Sequence, residues 1–261
     1  PASHRAPDSR SHGKARRHPD SSMRSIHMPV SLTPVFTVVV PLYNTERYIA
    51  RTLESVRTQS FGDFEVIIVD DGSSDSGPAL VAAMMIDDAR IRMVRQPNRG
   101  LAGARNTGIR HARGKYLAFL DADDLWLPRK LEVHRAQLDA DPTIGLAYAP
   151  SLFIDQDDKA LGFGQTPKLT DIDADHVLCR NPVGNGSAPV LRRAALDAIE
   201  FEIATLEGRR RCWFDESFRQ SEDIELWTRI AATTSWRIEG VPEPLTLYRV
   251  HTAALSSNTA A

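Results

Sequence analysis

Short apolar runs alternate with amphipathic segments in the first half of the chain, and this alternation restricts the fold more than any other sequence feature. Residues 35–41 (VFTVVVP) and 64–70 (FEVIIVD) are rich in β-branched side chains, as are strands that are covered on both faces. The segment between them places Ile49, Leu53 and Val56 on one helical face. This alternation predicts an α/β fold with a mainly parallel sheet and helices on both sides.

The pattern continues to residue 140 and then loosens. Asn44 is a candidate cap for the first helix, and Pro78 suits the first turn of the second. The other predicted elements are strands at 91–94, 116–120 and 144–155, helices at 101–112 and 221–232, and two short strands near the end of the chain. We expect the second half to pack on the sheet edge and close a cleft, rather than to fold alone.

Composition separates the first 33 residues from the rest. Of the 261 residues, 42% are hydrophobic and 25% charged, which is typical of a globular protein. Residues 1–33 contain six Lys or Arg, two Asp and four of the eight His, with few large apolar side chains. This composition predicts a disordered basic tail. The formal net charge of −2 gives no reason to expect nucleic-acid binding.

Other features concern location and domain organisation. No apolar run approaches the length of about 20 residues that a membrane span needs, and no secretory signal is recognisable. Two cysteines, Cys179 and Cys212, do not form a disulfide framework, and we expect free thiols. We therefore expect a cytoplasmic protein, with association at the inner face of the membrane left open. A single domain is expected at 34–255, followed by a tail at 256–261.

Three carboxylates follow the fourth predicted strand directly: Asp121, Asp123 and Asp124. In an extended segment Asp121 and Asp123 face the same point, where their repulsion favours a proton or a cation. Hard oxygen ligands select Mn²⁺ or Mg²⁺ and leave coordination positions for the phosphates of a nucleoside diphosphate. The structural alternative is a solvated turn in which Asp124 caps the helix near Pro128. The position at a strand's carboxyl end favours the metal site.

A second polar loop follows the second predicted strand. We interpret Asp71 as a group that binds a base N–H or a ribose hydroxyl, and Asp70 as structural; the alternative is an Asx-turn. After the first strand, Tyr43 can stack on a base while Pro41 sets the direction of the chain. Local packing of the Tyr43 ring is the alternative.

Two features near the end of the chain have both structural and chemical interpretations. Glu222 and Asp223 begin a predicted helix, whose dipole already favours negative charge there. A carboxylate at this position can also remove a proton from an attacking hydroxyl. His251 is either a surface or packing residue, or a group that binds a metal or a phosphate.

Taken in order, these segments resemble a known family. The runs VVVPLYN, VIIVDDGSSD, NRGLAGARNTGIRHARGKYLAFLDADD and SEDIELWTRI closely resemble family 2 glycosyltransferases of the GT-A fold, over about residues 35–255. The resemblance implies a nucleotide-binding half at 34–140 and an acceptor-binding half at 141–255. It also implies metal-dependent sugar transfer, with inversion, from a nucleoside diphosphate sugar that is usually UDP-linked.

The resemblance also implies residue roles. Asp121 would contact the ribose or the metal shell, Asp123 would ligate Mn²⁺ or Mg²⁺, and His251 would lie near the metal. Asp223 would be the general base, with Glu222 assisting acceptor placement. The residues implied around the nucleotide base are Pro41, Tyr43, Asp71, Asn98 and Gly100. Residues 179–187 are a candidate lining for the sugar pocket.

Departures from the family narrow the expected function. Polymerising members carry a Q-x-x-R-W signature and membrane helices, and this sequence has neither, which favours transfer of single sugars in cell-surface glycan synthesis. The acceptor can be a glycan, a lipid-linked or a small molecule. A nucleotidyltransferase is disfavoured because residues 38–47 lack glycine. A non-catalytic sugar-nucleotide-binding module is disfavoured by Asp223 and the acidic cluster.

Overall fold

The computed structural model describes Ala2, residues 33–206 and residues 208–250. Nearly all of the predicted N-terminal tail, His251 and the predicted C-terminal tail therefore lie outside the described residues. Within the described residues, no helix combines the length and the apolar character needed to cross a bilayer.

The strands and helices follow one another in the alternating order that the sequence predicts. The strands are β1 (Phe36–Leu42), β2 (Phe64–Asp70), β3 (Ile91–Arg95), β4 (Tyr116–Phe119), β5 (Leu125–Trp126), β6 (Ile144–Tyr148), β7 (Ser151–Ile154), β8 (Ala160–Gly164), β9 (Val190–Arg192), β10 (Phe201–Thr205), β11 (Gly208–Cys212), β12 (Arg237–Gly240) and β13 (Thr246–Arg249). The helices are α1 (Ile49–Arg57), α2 (Gly77–Asp87), α3 (Gly100–His111), α4 (Lys130–Ala140), α5 (Ala174–Arg180), α6 (Arg193–Asp197) and α7 (Glu222–Thr233).

A mainly parallel central sheet organises the described part of the chain, and this confirms the predicted fold class. Its strand order is β12-β6-β9-β4-β1-β2-β3. The exception to parallel pairing is β9, which runs antiparallel to both β4 and β6. Because β6, β9 and β12 come from the second half of the chain, that half extends the central sheet beyond β4. A smaller sheet has the order β5-β13-β7-β8, and β10 pairs with β11 as a hairpin.

Burial on both faces explains the continuous apolar runs in the sequence. Every residue of β1 and β2 is buried. Successive side chains of β1 point to opposite faces, so that Val38 and Val40 pack in one core and Val39 in the other. Ile49 of α1 joins the first core and Trp227 of α7 the second, as expected for a sheet with helices on both sides.

One predicted strand is in fact two strands in different sheets. Residues 144–155 divide at Ala149 and Pro150 into β6, in the central sheet, and β7, in the smaller sheet. Proline has no N–H to continue a ladder. The carbonyl of Pro150 accepts a hydrogen bond from Leu245 N instead, which starts the pairing of β7 with β13. The change of sheet brings the last strand beside β5, directly after the acidic cluster.

The predicted cap of the first helix is also wrong. The helix α1 begins at Ile49, and its N-cap residue, Tyr48, lies four residues beyond Asn44. Asn44 has a left-handed backbone conformation, and its Oδ1 accepts a hydrogen bond from Ser74 N at 2.9 Å. Asn44 therefore joins the loops that follow β1 and β2, at the carboxyl edge of the sheet.

We predict that Gly108→Ala destabilises the protein, because α3 packs too closely on β1 to admit a side chain. A Cβ at Gly108 would lie 2.2 Å from Val39 Cγ1. Overpacking of this kind costs about 1–3 kcal/mol, although alanine is otherwise favoured over glycine in a helix by about 1 kcal/mol. Urea unfolding midpoints measure the effect. Gly62→Ala is the control, since a Cβ there has no neighbour within 4 Å. A midpoint for Gly108→Ala at or above the wild-type value would contradict this packing.

Candidate active site

The acidic cluster forms a tight turn rather than an extended segment. Asp124 N donates a hydrogen bond to the carbonyl of Asp121 at 3.1 Å, so the alternation assumed from the sequence does not apply. The turn is held from outside by α1, where Thr52 Oγ1 donates to the carbonyl of Ala122 at 2.8 Å. Arg249 Nε donates to the carbonyl of Asp123 at 2.6 Å. The position of the turn is therefore set by contacts with distant parts of the chain.

Asp124 is an internal anchor of this turn and does not cap the helix near Pro128. Its buried carboxylate accepts hydrogen bonds from Ser187 Oγ at 2.6 Å and from Arg249 N at 2.8 Å. Burial, followed by the charges of Asp123 and Asp121, raises the pKa of Asp124 well above its usual range. Asp124 thus connects the turn to β13, and the sequence-based interpretation of it as a cap is wrong.

Arg105 joins the acidic turn to the start of α7. Its buried guanidinium donates to Asp121 Oδ1 at 2.8 Å and to Glu222 Oε1 at 2.6 Å. Burial lowers the pKa of Arg105, but Asp121 and Glu222 more than offset this, so the pKa lies above its already high usual value. The ring of Phe214 lies 5.4 Å from the guanidinium carbon. The bridge therefore brings two predicted site residues into one buried cluster.

Sequence reasoning missed Arg105 and the glycine beside it. A Cβ on Gly186 would lie 2.1 Å from Arg105 Nη2 and 3.2 Å from Asp121 Oδ2, so only glycine fits against the bridge. Residues 179–187, predicted to line the sugar pocket, do approach the acidic turn at this point. The sequence signal for Arg105 is its position in a helix that is otherwise suited to burial. A buried arginine side chain needs carboxylate partners.

The pair Glu222 and Asp223 lies in the first turn of α7, as predicted. Glu222 is buried in the bridge, whereas Asp223 is partly exposed and accepts a hydrogen bond from Ile224 N at 2.8 Å. Burial raises the pKa of Asp223, and the charge of Arg105 opposes this shift only in part. The two carboxylates are therefore in different environments, one in a buried ion pair and the other partly exposed.

The loops after β1, β2 and β3 meet at the same edge of the sheet. Asp71, which is buried, accepts hydrogen bonds from Gln96 Nε2 at 2.6 Å, Arg99 N at 2.9 Å and Gly100 N at 2.8 Å. Gly100 has a positive φ of 76°, which favours glycine where the chain turns into α3. Asn98 Oδ1 also accepts from Gly100 N, at 3.3 Å. Asp71 thus organises the loop that contains two other predicted nucleotide-binding residues.

The remaining residues of these loops differ in exposure. Tyr43 is 52% exposed directly after β1. Pro41 is buried within β1, in register with Val69. Asp70 accepts from Ser73 N at 2.9 Å and pairs with Arg95 Nε at 3.3 Å, contacts that close the loop after β2.

The acidic turn fits a small divalent cation held by few protein ligands. Among the described residues, no group of three His, Cys, Asp or Glu side chains is placed to hold a metal. Asp124 is occupied by Ser187 and Arg249, and Asp121 and Asp123 are the other two carboxylates of the turn. Mg²⁺-type ions usually take only one or two protein carboxylates and complete their shell with phosphates and water. His251, the other predicted ligand, lies outside the described residues.

Solved structures show the same fold. The chain matches Staphylococcus aureus TarS 1–349, solved with UDP-GlcNAc, with a TM-score of 0.66 and 21% identity over 87% of this chain and 61% of that one. It matches the mannosyltransferase PcManGT from Pyrobaculum calidifontis, solved with GDP-Man and Mn²⁺, with a TM-score of 0.61 and 22% identity over 85% and 58% of the two chains.

Sequence comparisons identify the family. An uncharacterized glycosyltransferase of Nostoc sp., alr2836, is 31% identical over 228 residues, which are 83% of this chain and 65% of that protein. The chain spans a smaller share, 13% to 40%, of relatives from Bacillus subtilis and Streptococcus pneumoniae. The profile of glycosyl transferase family 2 matches residues 37–199, more than half of the chain. The chain therefore belongs to glycosyl transferase family 2.

Proposed function

We propose that this chain contains the donor-binding and catalytic centre of an inverting, metal-dependent glycosyltransferase. It would transfer one sugar from a nucleoside diphosphate sugar to a hydroxyl acceptor. The observation that carries the proposal is the Arg105 bridge, which joins the donor-side turn at Asp121 to the helix start at Glu222. Family membership favours this function over a nucleotidyltransferase.

The donor site is proposed at the loops after β1, β2 and β3. A carboxylate has about four lone-pair positions, and Asp71 already accepts three hydrogen bonds, so one position is left for a base N–H. Tyr43 would stack on the base beside Pro41, with Asn98 and Gly100 on the opposite loop. We propose a UDP-sugar as the donor, by analogy with TarS, and GDP-mannose, which PcManGT binds, as the competing candidate.

Asp121 and Asp123 would hold Mn²⁺ or Mg²⁺, with His251 as a further proposed ligand. Such a cation supplies positive charge to the diphosphate that leaves as the glycosidic bond breaks. Arg105 orients Asp121 by a charge-assisted hydrogen bond.

Asp223 is the proposed general base. A base works best when its pKa is close to the working pH, and burial raises the pKa of this carboxyl toward that range. Asp223 would take the proton of the acceptor hydroxyl, whose oxygen then attacks the anomeric carbon on the face opposite the leaving diphosphate. Glu222, held by Arg105, would fix the start of α7 and assist acceptor placement. A role in bacterial cell-surface glycan assembly is the corresponding biological proposal.

We predict that donor binding depends on a divalent cation and on Asp123. Thermal unfolding is measured with UDP, UDP-GlcNAc and GDP-Man, each with and without Mn²⁺. A ligand present at about 100 times its Kd stabilises the folded state by about 2.7 kcal/mol. The wild type should be stabilised most by one nucleotide together with Mn²⁺, and Asp123→Ala should lose the Mn²⁺-dependent part. Asp87→Ala, an exposed residue of α2, is the control. If no nucleotide sugar changes the unfolding temperature, a donor site at these loops is ruled out.

A second prediction concerns Asp223→Asn, which keeps the shape of the side chain and removes its basicity. Donor binding should be retained, while kcat falls by roughly 10²- to 10⁴-fold. In the wild type, kcat should decrease as the pH falls through the raised pKa of Asp223, that is, above the usual aspartate range. Asp87→Asn should keep both the wild-type rate and the pH profile. Turnover of Asp223→Asn close to wild type would assign the base elsewhere.

A third prediction concerns Arg105→Met, which leaves Asp121 and Glu222 without their buried partner. Removal of one partner from a buried ion pair costs about 3–5 kcal/mol, measurable as a lower urea midpoint. The double variant Arg105→Met with Glu222→Gln should regain part of this loss, since it removes one stranded charge. Arg209→Met is the exposed control. Equal stability of the single variant and the wild type would show that the bridge is not formed.

A further inference from the structure

A cavity of about 410 Å³ lies beside the loop that borders the acidic turn. It is half open to solvent and is lined by residues 165–168, which follow β8, by His176 of α5 and by residues 180–182 at the end of that helix. Residues 180–182 lie in the segment expected to line the sugar pocket, and the other lining residues have no role in the proposed donor site or as the proposed base. The cavity therefore lies in the acceptor-binding half, next to the expected sugar pocket.

Two cations face this cavity without carboxylate partners. Most Lys and Arg side chains within residues 33–206 and 208–250 form ion pairs, but Lys168 and Arg180 form none within those ranges. Lys168 Nζ donates to the carbonyl of Asp171 at 2.8 Å and lies 3.0 Å from His176 Nε2. The positive charges in this cavity are thus available to an external anion.

The orientation of His176 is consistent with an anion site. A lysine ammonium group can only donate, so His176 Nε2 accepts and the ring proton lies on Nδ1. Nδ1 is 2.7 Å from Asp173 Oδ1, and this carboxylate also caps α5 through His176 N. Asp173 is therefore engaged by the helix cap and the imidazole. It forms no direct ion pair with Lys168 or Arg180, although the hydrogen bonds from His176, and to a smaller extent the Lys168 charge, hold the pKa of Asp173 below its usual value.

The loop between the cavity and the acidic turn is short and tightly packed. A Cβ on Gly184 would lie 2.2 Å from Gln165 Nε2, so the Gln165 side chain packs directly on the loop. Gln165 Oε1 is buried and has no donor among the described residues, which suits a ligand hydroxyl. Pro182 lines the cavity, and Gly186 contacts Arg105. Four residues span at most about 14 Å, so the cavity lies within one or two sugar units of the bridge.

From these observations we infer that Lys168 and Arg180 bind a phosphate group that the acceptor carries. This inference rests on the proposed glycosyltransferase function and assigns a chemical class to its acceptor. Guanidinium and ammonium groups together suit a phosphate, which accepts several charge-assisted hydrogen bonds. The donor phosphates belong at Asp121 and Asp123, on the other side of the loop. The cavity therefore selects acceptors in which a phosphate lies close to the reacting hydroxyl.

Phosphate binding by the full chain tests this site directly. Inorganic phosphate is titrated into the protein by calorimetry without divalent cations, for the wild type and for Lys168→Ala with Arg180→Ala. The control is Lys159→Ala with Arg209→Ala, which removes the same two residue types from exposed positions elsewhere. Each charged hydrogen bond contributes about tenfold to affinity, so the cavity variant should bind phosphate at least about tenfold more weakly than the wild type and the control. Equal phosphate affinity in all three proteins, or no phosphate binding by the wild type, would overturn the site.

Two further measurements identify the source of the phosphate and distinguish failure of the phosphate site from failure of the proposed glycosyltransferase function. Co-sedimentation with phosphatidylcholine vesicles, with and without phosphatidic acid, tests a lipid phosphate. Loss of phosphatidic acid binding in the cavity variant supports a lipid-linked acceptor, and binding of inorganic phosphate alone supports a soluble one. Stabilisation of the wild type by a nucleotide sugar with Mn²⁺, measured by thermal unfolding without phosphate or acceptor, tests the donor site alone. Absence of that stabilisation contradicts the proposed function and not the phosphate site.

Discussion

One buried guanidinium, that of Arg105, makes the acidic centre of this protein stable. Asp121, Glu222 and Asp223 bring negative charges together where water is largely excluded, and like charges repel strongly in such surroundings. Arginine remains charged when buried and presents donors in a planar fork, so it can bridge two carboxylates at once. Because Arg105 lies on α3, which packs on β1 at Gly108, the charge bridge and the packing of the sheet depend on each other.

A second set of contacts determines the position of the acidic turn. Asp124 is held by Ser187 and by the backbone of Arg249, and the Arg249 guanidinium holds the carbonyl of Asp123. The same guanidinium donates to the carbonyl of Asp155 at 2.7 Å and to Asp158 at 2.5 Å. The last described strand therefore fixes the turn from the side opposite Arg105. The proposed metal ligands are positioned by the complete fold, from β1 to β13.

The sequence predicts the elements of this fold better than it predicts their contacts. The strand predicted at 64–70 is β2 residue for residue, because burial on both faces leaves a continuous apolar run. The partners of the acidic turn are not local: Arg105 and Glu222 are 117 residues apart, and Asp124 and Arg249 are 125 apart. No rule based on short residue spacings in the sequence predicts such distant pairs. The division of 144–155 between two sheets differs from these cases, because Pro150 is a local signal that a continuous strand ends there.

The buried cations that hold the acidic turn differ in their surroundings from the exposed cations of the acceptor-binding half. Arg105 and Arg249 are almost fully buried, and carboxylates or carbonyls surround them, so their charge is used within the fold. Lys168 and Arg180 are exposed, and a cavity lies between them. The loop of residues 181–187 packs on Gln165, which lines the cavity, on one side and on Arg105 on the other. Asp121 N donates a hydrogen bond to Ser187 Oγ at 3.0 Å, so the loop beside the cavity also supports the acidic turn.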